Sequence, residues 1–209
     1  MNVLVVSSKY PPEYAGSGLR AHNTYKRLQS KFCINFKVLT SSVITNKSRE
    51  YEWEGVQIKL IANKVGNSKE LNDSDNFLTG LAKRIYNKLN VLINFLFEAL
   101  PAFIYLTRNH NRFDLIHVFG NVTVTSAAIT YAKIIKKPII IELVNLVQNP
   151  HYYEPKLVSL LFGRDFPKHA LIVAISDHLR KACINLGYAD EQIWCRPNPV
   201  DETKFFYES

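Results

Sequence analysis

Apolar residues along this chain follow two rhythms. Short continuous runs, Val3-Leu4-Val5-Val6, Leu115-Ile116-His117-Val118-Phe119, Ile139-Ile140-Ile141 and Leu171-Ile172-Val173-Ala174-Ile175, are bounded by polar or turn residues. Such runs suit strands covered on both faces, as in a parallel sheet. They predict strands over 2–7, 34–40, 114–119, 138–144 and 170–175, with a short closing strand over 192–196. The stretch 55–61 alternates apolar and polar residues, as a half-exposed strand does. Between the strands, helical spacing predicts helices over 17–31, 122–136, 154–168 and 176–186. In the first, Leu19, His22, Tyr25, Lys26 and Leu28 turn about one stripe. Ser176 suits an N-cap and Gly187 the position just past a helix end. The polar stretch 46–53 reads as no element, and 63–76, rich in Asn, Ser, Lys and Asp, reads as a mobile loop.

The segment 77–109 breaks this rhythm. It opens amphipathic and basic, with Lys83, Arg84 and Lys88, then turns apolar from Leu89 to Leu106. A spanning helix needs about 20 mostly apolar residues. Asn90, Asn94, Glu98 and Pro101 interrupt this run, which excludes a transmembrane span. The expectation is one or two helices packed on the sheet and bent at Pro101, with the basic edge left for an anionic membrane surface.

Strands alternating with helices imply an α/β, Rossmann-like parallel sheet with right-handed crossovers and helices on both faces. Ligands of such sheets sit outside the carboxyl ends of the strands. Those ends carry 7–14, 40–42, 117–121, 142–149 and Ser176, a mostly polar set. The first is the most suggestive: a Pro-stiffened loop, Lys9-Tyr10-Pro11-Pro12, then Gly16-Ser17-Gly18 opening a helix. A helix N-terminus offers unpaired N–H groups and a positive dipole end, and glycine permits close approach of a ligand. The same turn also serves as a plain helix entry with no ligand.

Composition narrows the function classes. The 209 residues carry 26 basic and 18 acidic side chains, a formal charge of +8, which favours anionic partners. The basic residues are scattered in pairs such as Lys26-Arg27 and Lys136-Lys137, so nucleic acid is not the expected partner. Cys33, Cys183 and Cys195 form no CxxC pair and read as reduced, buried thiols. Met1-Asn2 leads straight into the first strand, so no secretory leader is expected.

Several chemistries are excluded by spacing. Gly16-x-Gly18-x-x-Ala21 matches a dinucleotide fingerprint, but Ser8 to Ala15 separate it from its strand, and Thr40-Ser41-Ser42 replaces the expected ribose-binding carboxylate. No phosphate-loop or GxSxG pattern occurs. Ser176-Asp177-His178 cannot form a triad, being adjacent on one helix. The histidines show no metal-ligand spacing, so no metal or cofactor is expected.

Taken together, Tyr10-Pro11-Pro12, Gly16-Ser17-Gly18, Asp114-Leu115-Ile116-His117, Ala174-Ile175-Ser176 with Leu179 and Gly187, and Arg196-Pro197-Asn198-Pro199-Val200-Asp201 with Phe205 form an ordered set. In order and spacing it resembles the N-terminal domain of retaining family 4 glycosyltransferases. The resemblance runs from Asn2 to Phe205. It implies a GT-B architecture in which 1–205 is the acceptor-side domain, and 206–209 begins the linker to a C-terminal donor-binding domain. It implies a nucleotide sugar as donor substrate and a glycan or lipid-linked acceptor, in cell-surface polysaccharide synthesis at the cytoplasmic membrane face. Gly16, Ser17 and Gly18 would face the donor diphosphate. His117, Glu142 and Asn145 would carry the catalytic role, orienting the acceptor while the leaving diphosphate helps take its proton. Arg20, Asn121 and Tyr152 would bind the acceptor. The chain departs from the family in having no histidine on the strand after Lys137-Pro138, where Glu142 or Asn145 would substitute. It also stops near Phe205, before the carboxylate motif that grips the donor, so no turnover by this chain alone is expected.

Each of these residues also has a purely structural reading. His117 would be a satisfied core histidine, Arg20 a decoration of the first helical turn, and Tyr152 the start of a helix. Asn198 and Asp201 would fix a turn. Glu142 is a poor fit for an apolar core unless paired, which favours a hydrogen-bonded or functional role. Beside the transferase reading stand a non-catalytic binding subunit that needs a separate donor-binding chain, and an unrelated Rossmann-like nucleotide-binding module.

Overall fold

The computed structural model describes residues 1–13, 15–42, 45, 47–62, 77–120, 123–143 and 165–197. Eight strands form one sheet: β1 (Asn2–Ser7), β2 (Asn35–Ser42), β3 (Arg49–Trp53), β4 (Val56–Ala62), β5 (Leu115–Phe119), β6 (Ile139–Leu143), β7 (Leu171–Ala174) and β8 (Ile193–Cys195). Their order is β3-β4-β2-β1-β5-β6-β7-β8, and every pairing is parallel except β3 with β4. The described helices are α1 (Gly16–Lys31), α2 (Phe77–Arg108), α3 (Thr123–Ile135) and α4 (Asp177–Asn185). The predicted α/β parallel sheet is therefore the architecture found.

The continuous apolar runs became the buried strands, since both faces are covered. On one face Val3, Val5, Phe36, Val38 and Phe119 pack with Tyr10, Ala21 and Tyr25, the contribution of the first loop and α1. On the other, Leu4, Val6, Leu39, Ile116, Val118 and Ile141 meet Ala99, Ala102 and Leu106 of α2 and Val124, Ala128 and Ala132 of α3. Alternation along each strand divides its side chains between these two cores.

Three expectations are corrected or narrowed. The polar stretch 46–53 contains β3, because Glu54 and Gly55 both take positive φ (48° and 78°), the geometry of a two-residue hairpin turn that folds Arg49–Trp53 back on β4. Its alternating charges suit an edge strand. Second, α2 is one helix with Pro101 inside it, and only one side of it packs on the sheet. Third, Cys183 is buried but Cys33 and Cys195 are exposed, one after the end of α1 and one on the edge strand β8. The predicted loop 63–76 lies outside the described residues. So does most of the predicted helix 154–168, and its last four residues, 165–168, are not helical.

Local signals at α4 behave as read. Leu179 N–H donates to Ser176 Oγ at 3.3 Å, so Ser176 is the N-cap. At the other end Gly187 has φ 91°, its N–H donates to Ile184 O, and Tyr188 N–H donates to Cys183 O, a Schellman closure. The stripe residue His22 is buried and ties α1 to the β3–β4 turn: Nδ1 lies 2.9 Å from Tyr10 Oη and Nε2 2.9 Å from Glu54 Oε2.

Candidate functional site

Register decides which polar residues meet at the carboxyl edge. Ser7 pairs with Phe119, and Phe119 with Glu142, so these three stand in one row across β1, β5 and β6. His117 sits two residues before Phe119 and therefore on the same face, the face covered by α1. Glu142 is 1% exposed and meets two guanidiniums on one oxygen: Arg20 Nη2 at 3.2 Å and Arg196 Nη2 at 3.3 Å from Oε1. Its other oxygen, Oε2, is 3.4 Å from His117 Nε2. On the far side of the imidazole, Nδ1 lies 2.8 Å from Tyr25 Oη.

Burial alone would raise the Glu142 carboxyl. The His117 contact and the positive charges of Arg20 and Arg196 reverse this and hold it below the usual carboxylate range. Burial lowers the His117 pKa; its contact with Glu142 works the other way without overcoming it, and Arg196 and Arg20 push it further down. The imidazole is thus neutral at neutral pH. Burial also raises the Tyr25 hydroxyl, which keeps its proton; the ionised Glu142 beside Nε2 can only accept, which leaves Nδ1 to accept from Tyr25. A neutral imidazole that accepts at Nδ1 carries its proton on Nε2, facing Glu142. Tyr25 thus hydrogen-bonds His117, whose Nε2 faces Glu142 Oε2 across 3.4 Å without a well-aligned hydrogen bond, with two cations flanking the carboxylate. Ring contacts stiffen the group: His117 lies 4.2 Å from Phe119, and the Arg20 guanidinium 6.0 Å above the same ring.

Gly16 and Ser17 lie one helical turn before Arg20. The N-cap of α1 is Ala15, whose side chain accepts no capping hydrogen bond, and the first turn holds no acidic residue. The positive end of this helix is therefore left without a side-chain counter-dipole. Gly16 is open, with nothing within 4 Å of where a Cβ would stand. Gly18 is different: a Cβ there would lie 2.1 Å from the Lys9 carbonyl oxygen. Gly18 is thus required by the close packing of α1 against the loop after β1. Ser17 Oγ is 3.3 Å from Ser8 Oγ, and Gly120 (φ 84°) lies over both hydroxyls. That loop is pinned from the sheet side by Ser41 Oγ donating to Ser8 O and by Ser42 Oγ donating to Glu13.

Of the residues singled out from the sequence, the fold brings His117, Glu142 and Arg20 into contact, with Gly16, Ser17 and Gly18 at the start of the helix that delivers Arg20. Asn121, Asn145 and Tyr152 lie outside the described residues. Sequence reading missed two participants, Arg196 and Tyr25. Tyr25 was visible only as a stripe residue of α1, and Arg196 only as the first residue of a turn motif. The signal that could have found Arg196 was Glu142 itself, since a carboxylate in an apolar strand demands a cation.

No family model matches the sequence, and no curated protein matches it. Solved structures resemble the fold. The catalytic domain of starch synthase IV from Arabidopsis thaliana, bound to ADP and acarbose, is 11% identical with TM-score 0.53; the match covers 97% of this chain and 52% of that one. Anabaena HepE in complex with UDP-glucose is 14% identical with TM-score 0.52, over 97% and 45%. The UDP-GlcNAc 2-epimerase of Methanocaldococcus jannaschii is 12% identical with TM-score 0.51, over 93% and 45%. At these identities the likeness is one of fold: the chain has the Rossmann-like α/β fold of one half of a GT-B enzyme. It spans about half the length of the structures it matches.

Proposed function

We propose that this chain is the acceptor-side half of a retaining, nucleotide-sugar-dependent glycosyltransferase. The observation that carries the reading is the carboxyl edge of the sheet. There an uncapped helix N-terminus with an open Gly16 stands one turn before Arg20, which joins Arg196 and a neutral imidazole around the buried Glu142 carboxylate. The ligands bound by the structural neighbours, UDP-glucose and ADP with acarbose, are what that edge would suit. In this reading Gly16 and Ser17 face the donor diphosphate, whose charge complements the bare helix end. Gly18 serves them by letting α1 sit close to the loop. His117 and Arg20 border the acceptor, with Asn121, Asn145 and Tyr152 assigned beside them by the family resemblance.

Glu142 acts as a positioning residue. A carboxylate held ionised by two cations is a poor proton carrier, but it fixes the angle of both guanidiniums and the tautomer of His117. The donor sugar is held by a second domain, in the same polypeptide or in a partner, on the cytoplasmic side where nucleotide sugars are made. The half-length match also favours a second reading, a non-catalytic subunit that binds a glycan or lipid-linked acceptor for a separate transferase.

Transfer and hydrolysis of UDP-, GDP- and ADP-sugars by the chain, alone and joined to the segment encoded next to it, test this. The expected result is activity only in the joined form, reduced by Glu142→Gln and His117→Ala. Acceptor binding without turnover in any combination would favour the subunit. Binding of neither nucleotide sugar nor acceptor overturns both readings.

A further inference from the structure

Helix α2 carries its apolar residues on the wrong side for a globular surface. Among its described side chains between Leu89 and Ile104, every exposed one is large and apolar: Leu89, Ile93, Leu96, Phe97, Leu100 and Ile104. At 100° per residue these six fall within an arc of about 100°, and they extend along roughly 22 Å of helix. The opposite side is the packed one, formed by Glu98, Ala99, Ala102 and Leu106. A surface helix ordinarily reverses this arrangement, with polar residues outward, and an apolar stripe of this extent marks a contact surface.

Charge identifies the contact. From Phe77 to Arg112 the sequence holds Lys83, Arg84, Lys88, Arg108 and Arg112 against a single carboxylate, Glu98. Glu98 is 2% exposed and is turned inward, accepting from Val124 N–H at the start of α3 at 3.1 Å. The described outward side of α2 therefore offers apolar side chains leading to exposed Arg108 and Arg112, with no exposed acid among the described residues of this helix. At the C-terminal end, Leu100 and Ile104 also border a groove of about 740 Å³ whose wall carries Lys37, Lys59, Arg108 and Arg112 beside Glu50 and Glu52. No helix among the described residues is long and apolar enough to cross a membrane. An amphipathic helix with this distribution lies in the plane of the lipid headgroups, its apolar side sunk into the acyl boundary.

We propose that the outer face of α2 is a membrane-docking surface, seating the protein on anionic lipid through Leu89, Ile93, Leu96, Phe97, Leu100 and Ile104. The proposal does not depend on the transferase reading, because it concerns a face made by α2 alone.

Sedimentation of the full chain with phosphatidylcholine vesicles, with and without about one third phosphatidylglycerol, tests it. Binding should be at least roughly tenfold stronger to the anionic vesicles, since each basic residue near the surface contributes about 1 kcal/mol, and should fall with salt. The double variant Leu96→Glu with Leu100→Glu should lose binding while keeping the parent's circular dichroism and melting temperature. A second variant, Phe97→Trp, preserves the apolar stripe. After subtraction of the parent signal from Trp53 and Trp194, its emission should shift to the blue on anionic vesicles and not on neutral ones. No vesicle binding, equal binding by the Glu variant, or an unshifted Phe97→Trp emission overturns the proposal. So does a dimer in light scattering that the Glu variant dissolves, which would assign the stripe to a second copy of the chain.

Discussion

The edge of the sheet around Glu142 and the outer face of α2 invert the usual rule in opposite directions. At the first, a carboxylate and two guanidiniums are taken out of water; Glu142 is 1% exposed, and the side chains of Arg20 and Arg196 are 13% and 28% exposed. At the second, Phe97 and Leu100 are left 56% exposed. The first arrangement is held by its own members, because both guanidiniums lie within 3.3 Å of the Glu142 carboxylate, although His117 Nε2, Glu142 Oε2 and Arg196 Nε keep hydrogen-bonding capacity to spare. The second has no partner within its own helix, and the proposed lipid contact would supply one from outside the chain. Buried charge tolerates no substitution at its centre, whereas exposed apolar surface tolerates most. That contrast can be broken by experiment.

The largest effect is expected at Glu142. Glu142→Ala leaves two guanidiniums facing each other with their shared carboxylate gone, and should cost about 3 kcal/mol or more in urea unfolding. Arg20→Ala should cost more than Arg196→Ala, because Arg196 keeps greater access to water. An unfolding free energy unchanged in Glu142→Ala would show that the cluster is solvated.

The comparison sharpens within α2 itself. Leu106→Ala, on the packed side, should lose about 2–5 kcal/mol by opening a cavity, while Leu100→Ala on the other side should stay within roughly 0.5 kcal/mol. Similar losses at both would mean the stripe is covered within the fold.

The two glycines of the first turn divide in the same way. Gly18→Ala should destabilise by about 1–3 kcal/mol, because the added methyl meets the Lys9 carbonyl backbone. Gly16→Ala has open space and should be neutral in a thermal melt. Close to them, Ala15→Ser supplies the missing cap and should stabilise the fold by about 1 kcal/mol. If the bare helix end holds the donor diphosphate, that same variant should weaken nucleotide-sugar binding.

The smallest effect is the pH dependence. Glu142 is held below its ordinary pKa, so its contribution is full above the unfolded-state value and is lost as pH falls through the lowered one. His117 is held below its ordinary 6.5, so the unfolded chain takes up that proton first. Both signs agree: stability should fall as pH drops below about 6.5. His117→Gln should flatten the upper part of that decline, read as melting temperature between neutral and mildly acid pH. An unaltered slope would mean that His117 titrates alike in the folded and unfolded chain.

Much of the fold was legible because it is written in contiguous residues. Apolar runs of strand length, helical stripes, and the cap residues Ser176 and Gly187 act within a few positions of themselves, so the alternation of strand and helix, and with it the parallel sheet, followed from the order of residues. The hairpin at Glu54-Gly55 shows the limit: both residues adopt positive φ, but Glu does not announce that as Asn would, and β3 was hidden.

The site was only half legible for the same reason. Glu142 declared itself as a charge in an apolar strand, and His117 as a polar group near a strand end. What they face depends on register across β5, β6, β7 and β8. The cation that reaches Glu142 from just past the edge strand, Arg196, is 54 residues away in sequence. Only the tertiary structure could choose it, because burial makes a carboxylate require a cation without specifying which one. The exposure of α2 was decided in the same way. Its sequence determines that one side is apolar all along, but packing a single side of the helix against the sheet decides that the other faces outward.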